Sequence, residues 1–583
     1  MIKKLICVAS IGLLFSSCDL EKYPLDAVSP ETFFNTANDL QLYTNSFYNM
    51  LPDAEGVYNE DVDNIIKTSL SDEMRGSRIV PTEGGGWDWG DLRNINFYLE
   101  NSVKCEDEAA RVRYDALARF FRAYFYFNKV KRFGDVPWYD QVIGDQDTEL
   151  LQQPRTPRAE VFTHMMEDIN YAIDNLPSDK AINEVTRWTA LALKARMCLF
   201  EGTFRKYHTE FNFPDANLYL QEAADAAETL MNESGYTIYS TGNPDSDYLN
   251  FFASHNAIET EVILARDYDD GLQVYHNFNY YTMTASYGRP GLEKRLVNSY
   301  LMRDGSRFTD QPGYETMFFT DEVKNRDPRL SQTIRTPGYT RIGETETLVQ
   351  EFGATTTGYQ LIKFVTEPAY DTYNKDINDM PIFRYAEVLL NYAEAKAELG
   401  TLTQADLDKS VKLIRDRVGM PNINMAEANA NPDPYLELQY PHVSGNNKGV
   451  ILEIRRERRI ELLIENFRWD DMMRWKEGAT FTQQFKGMYF PGLGNYDLDA
   501  DGEIDICLYE GERPTVEGSS VEYLQLNSDI MLENGTSGCI VVNPQIDKEW
   551  DENKDYLYPI PITERNLNHN LTQNPGWDDG LDF

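Results

Sequence analysis

Leu117-Ala118-Arg119-Phe120-Phe121-Arg122-Ala123-Tyr124-Phe125-Tyr126-Phe127 places Leu117, Phe120, Phe121, Tyr124 and Phe125 at i, i+3, i+4, i+7 and i+8. An α-helix turns once in about 3.6 residues, so this spacing lines large apolar side chains along one face, ready for burial. The same period recurs outward from this point. Thr156-Pro157 opens a helix that carries Phe162, Met165, Ile169, Ala172 and Ile173 and closes at Leu176-Pro177. Further helices are expected from Trp188 to about Phe204 and from Ala216 to Met231, and Ser29-Pro30 reads as an N-cap with proline at the first helical position. The pattern returns over Pro381–Leu399, with Gly400 as its stop, then over Leu402–Val418 and Val450–Lys476. Between about 236 and 375, Tyr, Gly, Asp, Asn and Thr dominate without sustained period, which predicts long loops and short strands. The fold class is therefore mostly α: a tetratricopeptide-like scaffold of helix pairs, an α-α superhelix, carrying a loop-rich irregular region with short strands. No clean repeat of about 34 residues is visible, so the pairs are scattered along the chain.

The N-terminus carries its own chemistry. Lys3 and Lys4 precede an apolar run, Leu5 to Phe15, and then Ser16, Ser17 and Cys18. Residues 1–17 thus read as an export signal, and Cys18, directly after small residues, as a thiol to be acylated and left as the new N-terminus; an ordinary signal with an incidental cysteine is the other reading. Beyond Cys18 no apolar stretch approaches the roughly 20 residues that span a bilayer, so a soluble body with lipid as its only membrane attachment is expected, spaced off by a linker over Asp19–Val28. With 42% hydrophobic and 13% aromatic residues the chain is a folded one. Its net charge of −40, or −42 without Lys3 and Lys4, repels phosphate backbones and excludes a nucleic-acid role, whereas a neutral sugar is not repelled. Cys105, Cys198, Cys507 and Cys539 remain after Cys7 and Cys18, without CxxC spacing. That scatter argues against a disulfide framework or zinc site and leaves one isolated bridge open.

Several segments, in order, resemble the SusD/RagB-type nutrient-binding lipoproteins. Residues 118–127 followed by Arg132-Phe133-Gly134-Asp135-Val136-Pro137 are similar to that family's long helix and its turn, and residues 187–196 and Asn325-Arg326-Asp327-Pro328-Arg329-Leu330 agree as well. So do residues 384–395, Glu457-Arg458-Arg459-Ile460-Glu461-Leu462 with Arg468-Trp469-Asp470-Asp471 and Arg474-Trp475, and near the C-terminus Tyr558-Pro559-Ile560-Pro561 and Gln573-Asn574-Pro575-Gly576-Trp577. The resemblance implies helix pairs over 18–235 intertwined with a second region over 236–583. It also implies a place on the outer face of the bacterial outer membrane, where such proteins capture oligosaccharide, or in some relatives peptide, for a SusC-like TonB-dependent transporter. No catalysis is implied. Read as residues, the matching motifs are structural, with Arg455, Arg456, Arg458 and Arg459 alternating with Glu453, Glu457 and Glu461 as intramolecular ion pairs on a solvated face.

Sugar recognition asks for aromatic planes over C–H faces and polar groups around the rim. Two loop segments offer both. One holds Asp72, Arg75, the run Gly84-Gly85-Gly86, and then Trp87 and Trp89; the glycines are expected to let this loop project. The other runs from Tyr268 to Arg289 and includes Tyr281 and Tyr287. The expected ligand contacts are Trp87, Trp89, Asp72, Arg75, Tyr281 and Tyr287. Separately, Asp497, Asp499, Asp501 and Asp505 surround Gly502 in a pattern that suits either a structural Ca²⁺ loop or an acidic turn, with Leu508 where an EF-hand has glutamate. No cofactor is required by any motif. GxSxG, HExxH and glycine-rich phosphate loops are missing, which leaves a glycoside hydrolase with a carboxylate pair as the enzymatic alternative to a binding protein.

Overall fold

The computed structural model describes residues 33–517 and 521–583. The signal segment 1–17, Cys18, the linker and the Ser29-Pro30 cap lie outside the described residues. The scaffold is built on α1 (Ala37–Thr44), α2 (Gly90–Asn101), α3 (Glu108–Phe133), α4 (Arg158–Asn175), α5 (Arg187–Tyr207), α6 (Ala216–Glu233), α7 (Tyr385–Leu399), α8 (Lys448–Glu461) and α9 (Arg468–Arg474). Each packs on the next: α1 and α2 on α3, α3 on α4, then α5, α6, α7 and α8 in succession. This is the expected helix-pair array. The stripe at 117–125 supplies its first seam, with Phe120 and Phe121 fully buried beneath α1 and α4.

Short strands occupy the intervening segments. β1 (Ile65–Ile66) pairs with β3 (Gly291–Leu292), and β2 (Val262–Arg266) pairs antiparallel with β4 (Met380–Arg384). Near the C-terminus β5 (Phe485–Phe490) pairs with β9 (Gly538–Val542), while β6 (Gly494–Tyr496), β7 (Ile506–Tyr509) and β8 (Glu522–Gln525) form a small three-stranded sheet. Among the described residues no sheet closes into a barrel. The four cysteines there are free and buried.

Three helix boundaries differ from the periodic reading, each for a local reason. Pro381–Arg384 belongs to strand β4, since Arg384 takes an extended φ of −139° and its neighbours pair with β2. Residues 402–418 divide into two helices because Ser410 leaves the helical region at φ −129°, ψ −91°. The span 450–476 breaks where Ile464 and Asn466 adopt positive φ, so that α8 ends and α9 starts in a new direction.

The arginine-rich face of α8 is buried, not solvated: Arg455, Arg456, Arg458 and Arg459 are each at most 5% exposed. Their partners lie mainly on other elements. Arg459 and Arg468 converge on Asp63, at 3.2 and 2.7 Å, and Arg458 reaches Asp471 at 2.7 Å. Glu457 holds Arg329 at 2.6 Å and Arg415 at 2.7 Å, while Glu461 holds Arg384 at 2.8 Å and Arg329 at 3.2 Å. Glu394 on α7 pairs with Arg474 and accepts from Trp475 Nε1 at 2.7 Å. Removing a charge from water is costly, so such groups persist inside only when each finds its counter-charge and hydrogen bonds. The separate motifs of the sequence thus form one buried ionic framework that locks α7, α8, α9 and the 325–330 turn together.

The turn after α3 is held from the other end of the chain. Gly134 takes φ 72° and ψ −111° there, a backbone region open to glycine. Asn574 Nδ2 donates to the carbonyls of Phe133 and Tyr558, at 2.9 and 2.7 Å. The Arg132 guanidinium lies 3.6 Å over the Tyr558 ring.

Candidate functional site

An aromatic-walled cavity of about 630 Å³ opens beside the start of α2. That volume lies within the roughly 300–1,000 Å³ of small-molecule sites. Trp87, Trp89 and Tyr139 supply its rings, Leu151, Leu567 and Leu571 add apolar surface, and Arg93, Asp145, Gln152 and Glu564 are among its polar groups. Trp89 and Tyr139 are half-buried, with ring centroids 5.6 Å apart and planes at 79°. Their edges and faces are thereby held at near right angles, an arrangement that stabilises aromatic pairs and presents fixed planes to a ligand.

The glycine run before these tryptophans does not project. The Gly85 carbonyl accepts from Arg132 Nε at 2.8 Å and the Gly86 carbonyl from Lys129 Nζ at 2.6 Å, while Trp87 N–H closes a turn onto the Gly84 carbonyl. All three glycines have positive φ, and a Cβ on Gly86 would stand 2.8 Å from Arg132. Glycine serves here to let the loop lie flat on α3. Trp87 is consequently only 7% exposed, edge-on to Phe133 at 4.9 Å, and it backs the cavity more than it faces outward. Lys129 sits behind Trp89, 5.4 Å from its ring, where burial pulls its ammonium pKa down to about 8.

The other expected residues lie elsewhere. Asp72 and Arg75 are exposed on a single helical turn, Asp72–Arg75, and Asp72 accepts from Ser77 Oγ at 2.8 Å. This turn packs on residues 478–482, and its Arg75 carbonyl accepts from Glu549 N while Glu73 accepts from the Tyr558 hydroxyl, so neither Asp72 nor Arg75 lines the tryptophan cavity. Tyr281 is 1% exposed and packs in the core against Tyr58 with ring centroids 5.3 Å apart; it supports Tyr287 at 6.1 Å and offers no face to solvent. Tyr287 is half-exposed and meets Tyr280 at 5.9 Å, which in turn meets the exposed Tyr373 at 5.6 Å. A second, open tyrosine surface therefore exists; Tyr280 in it belongs to the Tyr268–Arg289 segment without being among the expected contacts, and Tyr373 lies outside that segment. Periodic patterns carry no information on which loop aromatics converge.

In the acidic loop, carboxylate oxygens of Asp497, Asp499 and Asp501 lie within 4.8 Å of one another. Asp505 is engaged otherwise, accepting from Leu498 N at 2.6 Å. Asp497 accepts from Ala500 N and Gly502 N, at 2.6 and 2.9 Å, which curls the loop. The Asp499 carboxyl is raised above its ordinary value by burial and by its neighbouring carboxylates.

Comparison with known proteins agrees with this architecture. Residues 260–577 match the sequence pattern of the SusD family. SusD-like protein P2 of Formosa agariphila is 23% identical over 601 aligned positions, covering 98% of this chain and 99% of that protein. A SusD-like carbohydrate-binding protein of Bacteroides fragilis superposes with a TM-score of 0.68 at 21% identity, covering 93% of this chain and 100% of that one. A laminarin-binding SusD-like protein superposes with a TM-score of 0.54 at 18% identity over 93% of this chain and 99% of that one. At these identities the superpositions speak for the fold.

Proposed function

The chain belongs to the SusD family, and from that premise we propose that it captures glycan in the tryptophan-walled cavity and passes it on unmodified. The observation that carries this reading is the fixed Trp89–Tyr139 pair on the wall of a cavity of about 630 Å³ whose rim is polar. Rings cover the apolar face of a pyranose while amides and carboxylates take its hydroxyls. The names of two solved relatives, one carbohydrate-binding and one laminarin-binding, support a sugar over a peptide. The proposal extends to the cell: acylation at Cys18, residence on the outer-membrane surface, and delivery to a TonB-dependent transporter of the SusC type. Hydrated sugars and rim contacts make affinity modest, which suits handover.

The test is retention by a panel of neutral polysaccharides, laminarin among them, in affinity gels and calorimetry. Trp89→Ala should weaken binding at least about tenfold, since stacking rings are worth on the order of 1 kcal/mol beyond their buried area. No retention by any polymer, or equal retention of the variant, refutes the site. Reducing sugar released by the purified protein would favour a hydrolase instead. Radiolabelled palmitate entering the wild type but not Cys18→Ala checks the anchor.

A further inference from the structure

The hydrogen-bonding capacity of the cavity is unevenly spent. Arg93 donates from Nη1 to the Ile143 carbonyl, Gln152 Nε2 donates to Leu567 O at 2.8 Å, and Asn568 Nδ2 donates to Gln153 O at 2.8 Å. Asn96 is used on both ends, donating to Tyr139 O and Gln141 O and accepting from Arg122. The side-chain amides of Asn96, Gln152 and Asn568 are therefore occupied in shaping this wall. Glu564 is different. It is half-buried, lines the cavity, and its carboxylate has no hydrogen-bond or ion-pair partner among the described residues. Burial raises its carboxyl above the ordinary glutamate value. A half-buried carboxylate without a partner is a cost to the fold, and a ligand that brings hydroxyl donors relieves it.

We infer that Glu564 is the residue that selects the ligand's class, accepting adjacent hydroxyls of a neutral sugar with its two oxygens and turning away sulfated or uronate sugars. The inference rests on the glycan-binding reading of this cavity and deepens it. Two carboxylate oxygens can receive paired donors side by side, the geometry that two neighbouring ring hydroxyls offer. An acidic sugar would instead bring like charge beside Glu564 and Asp145. Against these two carboxylates the lining sets a single cation, Arg93, which spends one of its N–H donors on the Ile143 carbonyl, while Lys129 donates behind Trp89 to the Gly86 carbonyl. Glu564 follows Thr563, whose N–H is fixed to Thr82 O at 2.9 Å, so the helix bearing the carboxylate is pinned against the loop that leads to Trp87.

The experiment uses the full chain, each neutral polysaccharide of the panel that retains it, and the same polymer after chemical sulfation. Wild type should retain the neutral form and not the sulfated one. Glu564→Gln, which keeps the shape and removes the charge, should weaken neutral binding about ten- to a hundredfold and raise the ratio of sulfated to neutral binding. The inference is overturned if wild type prefers sulfated or uronate polymers, or if Glu564→Gln binds the neutral polymer within about twofold of wild type. Trp89→Ala keeps the two levels apart. If it abolishes binding while Glu564→Gln is silent, only the selector fails; if it too is silent, or no polymer is retained, the cavity is not the site.

Discussion

Replacing Glu461 by glutamine tests whether the buried ionic framework carries the fold. Glu461 is fully buried on α8 and receives Arg384 at 2.8 Å, Arg329 at 3.2 Å and Arg417. Burial pushes its carboxyl up, but Arg417, Arg384 and Arg329 together outweigh that and hold it well below the ordinary glutamate range. Glutamine fits the same volume but leaves three guanidinium groups short of a counter-charge. Losing one partner of a buried ionic group costs about 3–5 kcal/mol. At about 2.1 cal/mol/K per residue, a cooperative chain of this length loses about 1.2 kcal/mol of stability per degree near its melting point. The expected drop in Tm is therefore about 3–4 °C. The control is Glu222→Gln, the same chemical change in a more exposed pair with Lys194 at 2.6 Å, for which the loss is about 1 kcal/mol or less, under about 1 °C. Because Glu461 is depressed in the fold, its contribution is present above the unfolded value of about 4.3 and lost as pH falls through the folded value, so the gap to wild type closes in acid. Scanning calorimetry of both variants at pH 7 decides it. Equal melting points for Glu461→Gln and Glu222→Gln would refute the reasoning.

Three further outcomes are expected. Ca²⁺ should raise the Tm of wild type and leave Asp499→Ala unmoved, as three carboxylates within 4.8 Å gain from a shared cation; equal stabilisation of both by Ca²⁺ would remove the loop from consideration. Asp376 is fully buried and accepts from Asn279 N at 3.0 Å, and burial raises its carboxyl to about 8. Its folded value is the higher one, so its stabilisation is full below about pH 4 and is lost as pH rises through 8; melting curves of Asp376→Asn should lack that part of the decline, and an unchanged slope would sink the assignment. Gly449→Ala should lower Tm although alanine favours helices by about 1 kcal/mol, because its Cβ would come 1.8 Å from the Ala428 carbonyl; a rise in Tm would mean the neighbouring helix yields freely.

Periodicity makes the scaffold legible. Spacing alone places Phe120, Phe121, Leu389 and Leu390 inward, and all four are fully buried. Short-range signals end where tertiary partners take over. Arg455 to Arg459 look like a helix surface in sequence, because i, i+4 alternation is the same whether water or another helix faces it. Their partners Asp63, Asp433 and Asp471 lie far away in the chain or past a break in it. Trp87 misleads in the same way: three glycines permit a projecting loop or a flat one, and only Lys129 and Arg132 on α3 decide between them. Trp89 survives as a cavity wall and Asp497, Asp499 and Asp501 do cluster. Glu564 has one available signal, its place just after Tyr558-Pro559-Ile560-Pro561, but a lone glutamate in a helix's first turn reads as an ordinary helix start.

The cavity's position explains why motifs so distant in sequence border one another. Its walls are residues 87–96, 137–152 and 564–571, so neither the N-terminal nor the C-terminal stretch alone contains it. What joins them is the segment from Arg75 to Gly86. Its Arg75 carbonyl accepts from Glu549 N, its Pro81 and Thr82 carbonyls accept from Ile562 and Thr563, and Arg78 plugs a cage of Trp469, Trp550, Tyr558 and Trp577 at 4.6–5.9 Å while pairing with Asp555 at 3.0 Å. A wall stitched by backbone bonds and a caged cation has little freedom left to lose when a sugar enters. The rings are ordered during folding, so on the proposed function the ordering cost is met by the C-terminal docking instead of by a glycan. Stability of the seam and affinity of the cavity are on this view one property, since loosening Arg78 releases both the Glu564 helix and the loop that leads to Trp87 and Trp89.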